Sequence, residues 1–231
     1  MATRPNRDLK IGEIIDKTMG VLSLSALPSL AFIVVIGGLS GGLDIFGKQL
    51  QQPGVIPNMG MVMQVLALAL LIIVLAFIGG YLLLESMLKR TGLMNSTGDK
   101  RIVAYIGMSL LSGLAIIGGL LLVVIPGLIF MARWSLSGPL LIGRGEKVFA
   151  SLGKSWAMTK GHEFGIVVSL LIVLVVFNGI GYLPNLLLGT VPPVLAIVAR
   201  LASTAGTAVI SAMYVAIYGI LSTRDVSGTF S

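Results

Sequence analysis

The sequence predicts an all-α integral membrane protein with six transmembrane helices and two amphipathic interfacial helices on the cytoplasmic side. Of its 231 residues, 56% are hydrophobic and only 11% are charged, whereas soluble domains carry about 25% charged residues. The apolar residues also gather in segments close to the roughly 20 residues that a helix needs to cross the hydrocarbon core. We therefore expect most of the chain to contact lipid rather than water.

Six apolar segments are predicted to cross the bilayer as parts of a single membrane domain, 1–231. They cover residues 24–45, 59–88, 102–125, 128–142, 164–183 and 193–221. The fourth segment is short and follows Pro126-Gly127, where we expect a sharp break. It either crosses the membrane after a tight hairpin or is re-entrant or bent, which requires surrounding protein at that depth. The tail, 223–231, is predicted to be disordered.

Two further segments, 8–22 and about 146–160, are too polar to cross a membrane but have the periodicity of amphipathic helices. The apolar positions are Ile11, Ile14, Ile15, Thr18, Met19 and Leu22 in the first and Val148, Leu152, Trp156 and Thr159 in the second. We expect both helices to lie on the cytoplasmic surface, anchored at the headgroups by Trp156, Lys154, Lys160, Lys10 and Lys17. For the first segment, the alternative is a soluble helix packed on the rest of the protein.

The basic residues lie almost entirely on one side of this six-span topology. They are Arg4, Arg7, Lys10 and Lys17 before span one, Lys89, Arg90, Lys100 and Arg101 between spans two and three, Arg144, Lys147, Lys154 and Lys160 between spans four and five, and Arg224 after span six. The opposite side has only Lys48. The positive-inside rule then predicts cytoplasmic N- and C-termini. The net charge of +7 faces anionic lipid, so no nucleic-acid partner is expected.

The composition offers few groups for catalysis or metal binding. The chain has no cysteine, a single histidine, His162, and nine acidic residues. Thiolate chemistry and cysteine-based metal sites are therefore excluded, and a histidine-based site lacks partners. We predict no metal site, no cofactor and no enzymatic activity.

Arg133 and Arg200 are the candidate contacts for lipid or anions, together with Trp134 beside the first of them. A charge at the centre of the bilayer costs about 2.5–3.5 kcal/mol on insertion scales, so such a residue often has a function. Either arginine is able to bind a lipid phosphate or an anionic substrate. The alternative is that each long side chain extends to the outer interface.

Small residues form a candidate helix-packing seam in spans one and six. They are Gly37, Gly38, Gly41 and Gly42 in the first span and Ser203, Gly206 and Thr207 in the sixth. Small residues let helix backbones approach closely in lipid. The seam either packs within the monomer or contacts another subunit, which is a different membrane protein or a second copy.

Three stretches resemble a bacterial membrane-protein family. They are Pro126-Gly127-Leu128-Ile129 with Arg133-Trp134-Ser135-Leu136 and Pro139, residues 155–162, and residues 11–16. They resemble the membrane domain that is attached to some glycerophosphoryl diester phosphodiesterases and occurs alone in many inner-membrane proteins. The activity of that family lies in a separate soluble barrel, for which 231 residues leave no room. The resemblance implies a stand-alone domain of the bacterial inner membrane without catalytic residues.

Two functions remain as hypotheses. The first is a non-enzymatic scaffold or accessory subunit that organises membrane lipids or a partner membrane protein. The second is a small transporter or flippase for an anionic or lipid-like substrate. Gly12-Glu13 and Gly145-Glu146 each open an amphipathic segment that leads into a span, and this weak parallel repeat favours the second hypothesis because repeats are frequent in transporters.

Overall fold

A computed structural model describes residues 9–52, 54, 56, 58–96, 101–188 and 192–227, and helices are the only regular structure among them. The α-helices are α1 (Ile11–Leu24), α2 (Ala26–Phe32), α3 (Gly38–Gln49), α4 (Met59–Arg90), α5 (Ile102–Leu122), α6 (Val124–Arg133), α7 (Ser137–Gly143), α8 (Val148–Met158), α9 (Glu163–Leu188) and α10 (Pro193–Ser227). A π-helical turn, Ile33–Gly37, joins α2 to α3.

Six helical stretches in the described part of the chain are long and apolar enough to cross a membrane. They are Ala26–Gln49, Met59–Arg90, Ile102–Leu122, Val124–Gly143, Glu163–Leu183 and Pro193–Thr223. An all-helical chain with six candidate spans is thus confirmed. Helices suit these apolar runs because each backbone N–H and C=O finds its partner within the segment, which hydrocarbon requires.

The break between the third and fourth apolar segments lies earlier than the sequence predicted. Helix α5 ends at Leu122, Val123 is extended with φ −154° and ψ 132°, and α6 begins at Val124. Pro126-Gly127 therefore does not form the break. Proline is tolerated in the first turn of a helix, where its missing N–H would have no intrahelical partner.

A turn interrupts the fourth apolar segment. It lies at residues 134–136 and separates helices α6 and α7. The turn places Arg133 at the end of α6 and leaves the short α7 as a separate helix.

Two helices continue beyond their predicted ends. Helix α9 reaches Leu188 instead of Leu183, and α10 reaches Ser227. The prediction of a disordered tail from residue 223 is therefore wrong for 223–227, while 228–231 lie outside the described residues. A helix without a breaker extends past its apolar run because each added residue gains one backbone hydrogen bond.

The described residues form two compact units. The first unit comprises the described parts of Met1–Ser25, Leu84–Ile172 and Ile210–Ser231. Its centre is α7, all seven residues of which are buried. Gly138 allows the end of α4 to approach, since a Cβ there would lie 2.8 Å from Leu84 Cδ2. The same unit contains other fully buried side chains, including Met87, Leu88, Ile166, Leu170 and Tyr218.

The second unit comprises the described parts of Ala26–Leu83 and Val173–Val209. Its first span packs against α10 through glycine. A Cβ on Gly37 would lie 3.1 Å from Leu201 Cα, and a Cβ on Gly41 would lie 3.0 Å from Ile197 Cα. Close packing of backbones provides the contact that the hydrophobic effect does not supply between helices in lipid.

Candidate functional site

Arg133 is held in place by α8 and α9. Its Nη2 lies 2.5 Å from Glu163 Oε1, and its Nη1 donates to the carbonyl oxygen of Trp156 at 2.9 Å. The guanidinium carbon also lies 5.0 Å from the centroid of the Trp156 ring, in cation–π range. The charge of Arg133 is therefore matched by a carboxylate of its own chain.

Aromatic rings surround this arginine. Phe130 stacks on Trp134 with a centroid distance of 5.1 Å, and Trp156 lies 5.9 Å from Phe130 and 6.2 Å from Trp134. Tryptophan is enriched where membrane meets water because its ring is apolar and its N–H polar. The candidate residues Arg133, Trp134 and Trp156 are thus brought together in one cluster.

Helix α8 docks on the turn that follows α6 through hydroxyl groups. Ser155 Oγ donates to the carbonyl oxygen of Arg133 at 2.6 Å and accepts from the backbone N–H of Leu136 at 3.1 Å. Thr159 Oγ1 lies 3.3 Å from the same Arg133 carbonyl. These bonds satisfy backbone groups that the end of α6 leaves without a helical partner.

Arg200 is bound by Asp44. Its Nη2 donates to Asp44 Oδ1 at 2.9 Å, and its Nε donates to Asp44 Oδ2, which makes the pair bidentate. Beside this pair lies a cavity of about 400 Å³. Asn178 and Ser203 also line the cavity, joined by a hydrogen bond of 3.3 Å.

A second cavity, here called the basic groove, has a volume of about 500 Å³ and is lined by α1, the end of α4 and the end of α10. Lys17 and Arg90 supply its positive charge, and Glu13 also lines it. Arg90 Nη1 donates to the carbonyl oxygen of Leu24 at 3.1 Å, which positions this side chain at the C-terminus of α1. Apolar and small residues form the remaining wall, among them Gly20, Val21, Leu93, Val215, Ala216 and Ile220.

The predicted apolar face of the first amphipathic segment is divided in two. Ile14 and Thr18 are buried together with Val21, whereas Ile15 and Met19 are 48% and 62% exposed. Charged residues occupy the rest of the helix, and Lys10 and Lys17 are exposed. Helix α1 therefore packs through a narrow stripe of buried residues, and the apolar side chains of Ile15 and Met19 beside that stripe stay exposed.

The buried stripe of α8 differs from the predicted one. Ser151, Leu152 and Ser155 are buried, while Phe149 is 79% and Trp156 38% exposed. The sequence placed Trp156 on the apolar stripe and at the headgroup level, whereas the hydroxyl contacts to the end of α6 bring Ser155 onto the buried face of the helix. Lys160 is exposed, and Lys154, half-exposed, forms an ion pair with Glu146.

Most residues of the candidate packing seam make contacts within the chain. Gly37 and Gly41 contact α10, whereas a Cβ on Gly38 or Gly42 would meet nothing within 4 Å. On α10, a Cβ on Gly206 would lie 2.7 Å from Phe177 Cβ, and Ser203 contacts Asn178. Thr207 lies on the same helix one position beyond Gly206. The seam accordingly serves packing within the second unit at Gly37, Gly41, Ser203 and Gly206.

Sequence reasoning missed two partners, Glu163 and Asp44. Each is the only acidic residue of its candidate span, Glu163–Leu183 and Ala26–Gln49 respectively. A lone carboxylate in an apolar helix requires a partner, so the sequence alone indicates that Glu163 and Asp44 each have a partner. The sequence does not identify the partners, because the contacts join helices that are distant in sequence. Among the described residues, no group of three or more His, Asp or Glu side chains is placed to hold a metal ion.

The fold and these clusters define a multi-pass α-helical membrane protein in which each acidic residue of the candidate spans is paired with a cation. No family model, curated protein or solved structure matches this chain.

Proposed function

We propose that this chain is a non-enzymatic scaffold or accessory subunit of the bacterial inner membrane that organises anionic lipid. The observation that carries the proposal is the basic groove, where Lys17 and Arg90 outnumber Glu13 beside an apolar wall. A phospholipid with a negative headgroup matches both features, since the cations attract its phosphate and the wall accepts its acyl chain.

The basic groove is a better candidate for anion binding than the two arginines that the sequence predicts as anion contacts. Arg133 is matched by Glu163 and Arg200 by Asp44. An anion that approached either arginine would have to displace a carboxylate already in place, which weakens its net attraction. The surface helices support the same role, because α1 and α8 each combine an exposed apolar flank with exposed lysines, the pattern of helices at a membrane interface.

The test compares lipid retention by the purified protein in mild detergent. Phosphatidylglycerol and phosphatidylcholine with identical acyl chains are titrated, and bound lipid is counted by native mass spectrometry. We expect one phosphatidylglycerol to bind in preference to phosphatidylcholine. The double variant Lys17→Gln/Arg90→Gln loses two cations, each of which contributes about 1 kcal/mol to binding. It should therefore bind phosphatidylglycerol about 30-fold more weakly. Lys48→Gln/Lys147→Gln removes the same charge outside the groove and should leave the affinity unchanged.

Two glycine-to-leucine variants distinguish binding inside the groove from attraction to the overall positive charge of the protein. Gly20 lines the groove and Gly12 does not, although a Cβ on either glycine meets nothing within 4 Å. Gly20→Leu should abolish retention while Gly12→Leu preserves it. Equal binding by all variants would disprove the lipid site, and displacement of the lipid by free inorganic phosphate would identify a soluble anion instead. If the groove variants keep the lipid but lose a protein that copurifies with the wild-type chain in a fixed ratio, the accessory-subunit form of the proposal is favoured.

The second candidate function is transport of a small polar or anionic solute, and the cavity beside Asp44 and Arg200 favours it. Its polar lining within candidate spans includes Asn178 and Ser203. Such intramembrane polar groups often mark a substrate pathway. Proteoliposomes test this candidate. Solute uptake that is lost in Ser203→Leu but kept in Gly42→Leu, a site facing no neighbour within 4 Å, would replace the lipid proposal.

A further inference from the structure

One face of helix α5 carries hydroxyl groups. Tyr105, Ser109 and Ser112 follow one another at spacings of four and three residues, which places them on the same side of a helix. This face lines a third cavity, of about 180 Å³, together with residues around the turn between α6 and α7 and residues of α10. We call it the hydroxyl cavity, and the hydroxyl-bearing residues that line it are Tyr105, Ser109, Ser112, Ser135, Ser137, Ser211 and Tyr214.

Three of the serine hydroxyl groups have already donated their hydrogens to the backbone. Ser112 Oγ donates to a carbonyl oxygen of its own helix at 2.9 Å. Ser135 Oγ and Ser137 Oγ each donate to the carbonyl oxygen three residues earlier, at 2.7 Å and 2.6 Å. A hydroxyl group has one hydrogen and two lone pairs. These three oxygens can therefore accept hydrogen bonds from an occupant of the cavity, but they have no hydrogen left to donate.

The hydroxyl cavity is suited to a small occupant. Ser135 and Ser137 are only 3% and 4% exposed, so their free lone pairs depend on whatever enters the cavity. Apolar cavities in proteins stay empty, whereas cavities with several polar partners hold water or a ligand. A volume of 180 Å³ corresponds to about six water molecules. Sites for drug-sized molecules are larger, at about 300–1,000 Å³, so the occupant of this cavity must be smaller.

The remaining lining of the cavity selects for an uncharged occupant. Among the described residues, none that lines the hydroxyl cavity is charged at neutral pH. An ion would lose its hydration there without gaining an opposite charge, which is costly in a low-dielectric environment. Ile116, Met131 and Trp134 add apolar surface to the wall, and such surface suits a short carbon chain.

We propose that the hydroxyl cavity binds a small uncharged molecule that combines several hydrogen-bond donors with a short carbon chain, the chemical class of diols and other short polyols. Its hydroxyl groups donate to the oxygens of Ser112, Ser135 and Ser137, and its carbon atoms contact the apolar part of the wall. This site is separate from the proposed lipid site, because the hydroxyl cavity and the basic groove share no lining residue.

Two isomeric probes test the chemistry of this site. Butanediol and ethylene glycol dimethyl ether contain the same atoms, but only the diol donates hydrogen bonds. Binding of each to the full chain in detergent is measured by saturation-transfer difference NMR. We expect a saturable signal from the diol and at least tenfold weaker binding of the ether and of ethanolammonium, which donates hydrogen bonds but is charged. Absence of a saturable signal from the diol, or equal or tighter binding of either other probe, would overturn the proposal.

Two glycines of α5 test where the diol binds. Gly113 lines the hydroxyl cavity and Gly118 does not, although a Cβ on either glycine meets nothing within 4 Å. Gly113→Leu should therefore fill the cavity and weaken diol binding at least tenfold, while Gly118→Leu should bind the diol as the wild type does. Equal binding by the wild type and Gly113→Leu would place the diol elsewhere and overturn the proposal.

A double serine variant keeps the cavity open and provides a second test should Gly113→Leu fail to fold. Ser112→Ala/Ser135→Ala removes two acceptors, and the loss of two hydrogen bonds should weaken diol binding about tenfold. Ser23→Ala/Ser222→Ala removes two hydroxyl groups outside the cavity and should leave the affinity unchanged. Unchanged affinity in Ser112→Ala/Ser135→Ala would overturn the proposal, whatever the outcome of the lipid experiments on the basic groove.

Discussion

At the scale of single residues, the three acidic side chains of the candidate spans are each matched by a cation. The pairs are Asp44 with Arg200, Glu85 with Lys89, and Glu163 with Arg133. An unpaired charge is costly in a low-dielectric medium, and an opposite charge within contact distance offsets part of that cost. Pairing therefore lowers the free-energy cost of each charge, so that its helix can lie in or near the membrane.

Removal of one partner from the Arg133–Glu163 pair should destabilise the protein. Only 12% of the Arg133 side chain and 29% of the Glu163 side chain are exposed, so Glu163→Gln leaves a largely buried cation uncompensated. We expect a loss of about 2 kcal/mol in the free energy of unfolding. The measurement is the thermal-unfolding midpoint in detergent.

The control for this prediction is an exposed pair in the same unit. Lys154, with 52% of its side chain exposed, is paired with Glu146, and Glu146→Gln should cost no more than about 0.5 kcal/mol because solvent screens the interaction. Arg133→Met/Glu163→Gln should recover most of the lost stability. Equal midpoints for wild type and Glu163→Gln would refute the structural role of the pair.

At the scale of secondary-structure elements, the α5–α6 hairpin depends on glycine at the point where the two helices meet. A Cβ on Gly119 would lie 3.0 Å from the Cα of Gly127, and a Cβ on Gly127 would lie 2.6 Å from the backbone nitrogen of Leu120. Both distances involve backbone atoms, which cannot move aside as a flexible side chain does. The close approach of α6 to α5 therefore requires both glycines.

We predict that Gly127→Ala opens the hairpin and lowers stability by about 1–3 kcal/mol, the cost of overpacking. Gly118→Ala is the matched control, since a Cβ there meets nothing within 4 Å and alanine favours helix. Thermal unfolding in detergent measures both variants. A smaller loss for Gly127→Ala than for Gly118→Ala would show that the two helices do not approach as closely as described.

At the scale of the whole molecule, the distribution of basic residues predicts the sidedness of the chain. Gln51 lies in the connection after α3, and Lys160 lies between α8 and α9. Three candidate spans, Met59–Arg90, Ile102–Leu122 and Val124–Gly143, lie between these two residues. If all three cross the membrane, this odd number of crossings places the two residues on opposite sides.

We expect Lys160→Cys to react with an impermeant maleimide only in inverted vesicles and Gln51→Cys only in right-side-out vesicles. Lys154→Cys, on the same side as Lys160, serves as an internal check. Labelling of Gln51→Cys and Lys160→Cys from one common side would reject the predicted orientation of the chain.

The helical class and the six apolar stretches followed from the sequence. These features depend on local information, namely the length and the apolarity of each run. The extension of α10 to Ser227 was missed because apolarity alone does not fix where a helix ends.

The tertiary structure decided which helices meet and hence the partners of Arg133 and Arg200. It also placed the break at Val123, turned the serines of α8 inward and brought α1, α4 and α10 together around the basic groove. The partners of the two arginines, the orientation of α8 and the groove depend on contacts between segments far apart in the chain, whereas the break at Val123 lies beside the close contact of Gly119 with Gly127. Local spacing carries no information on such contacts, because they are set by the packing of whole helices against one another.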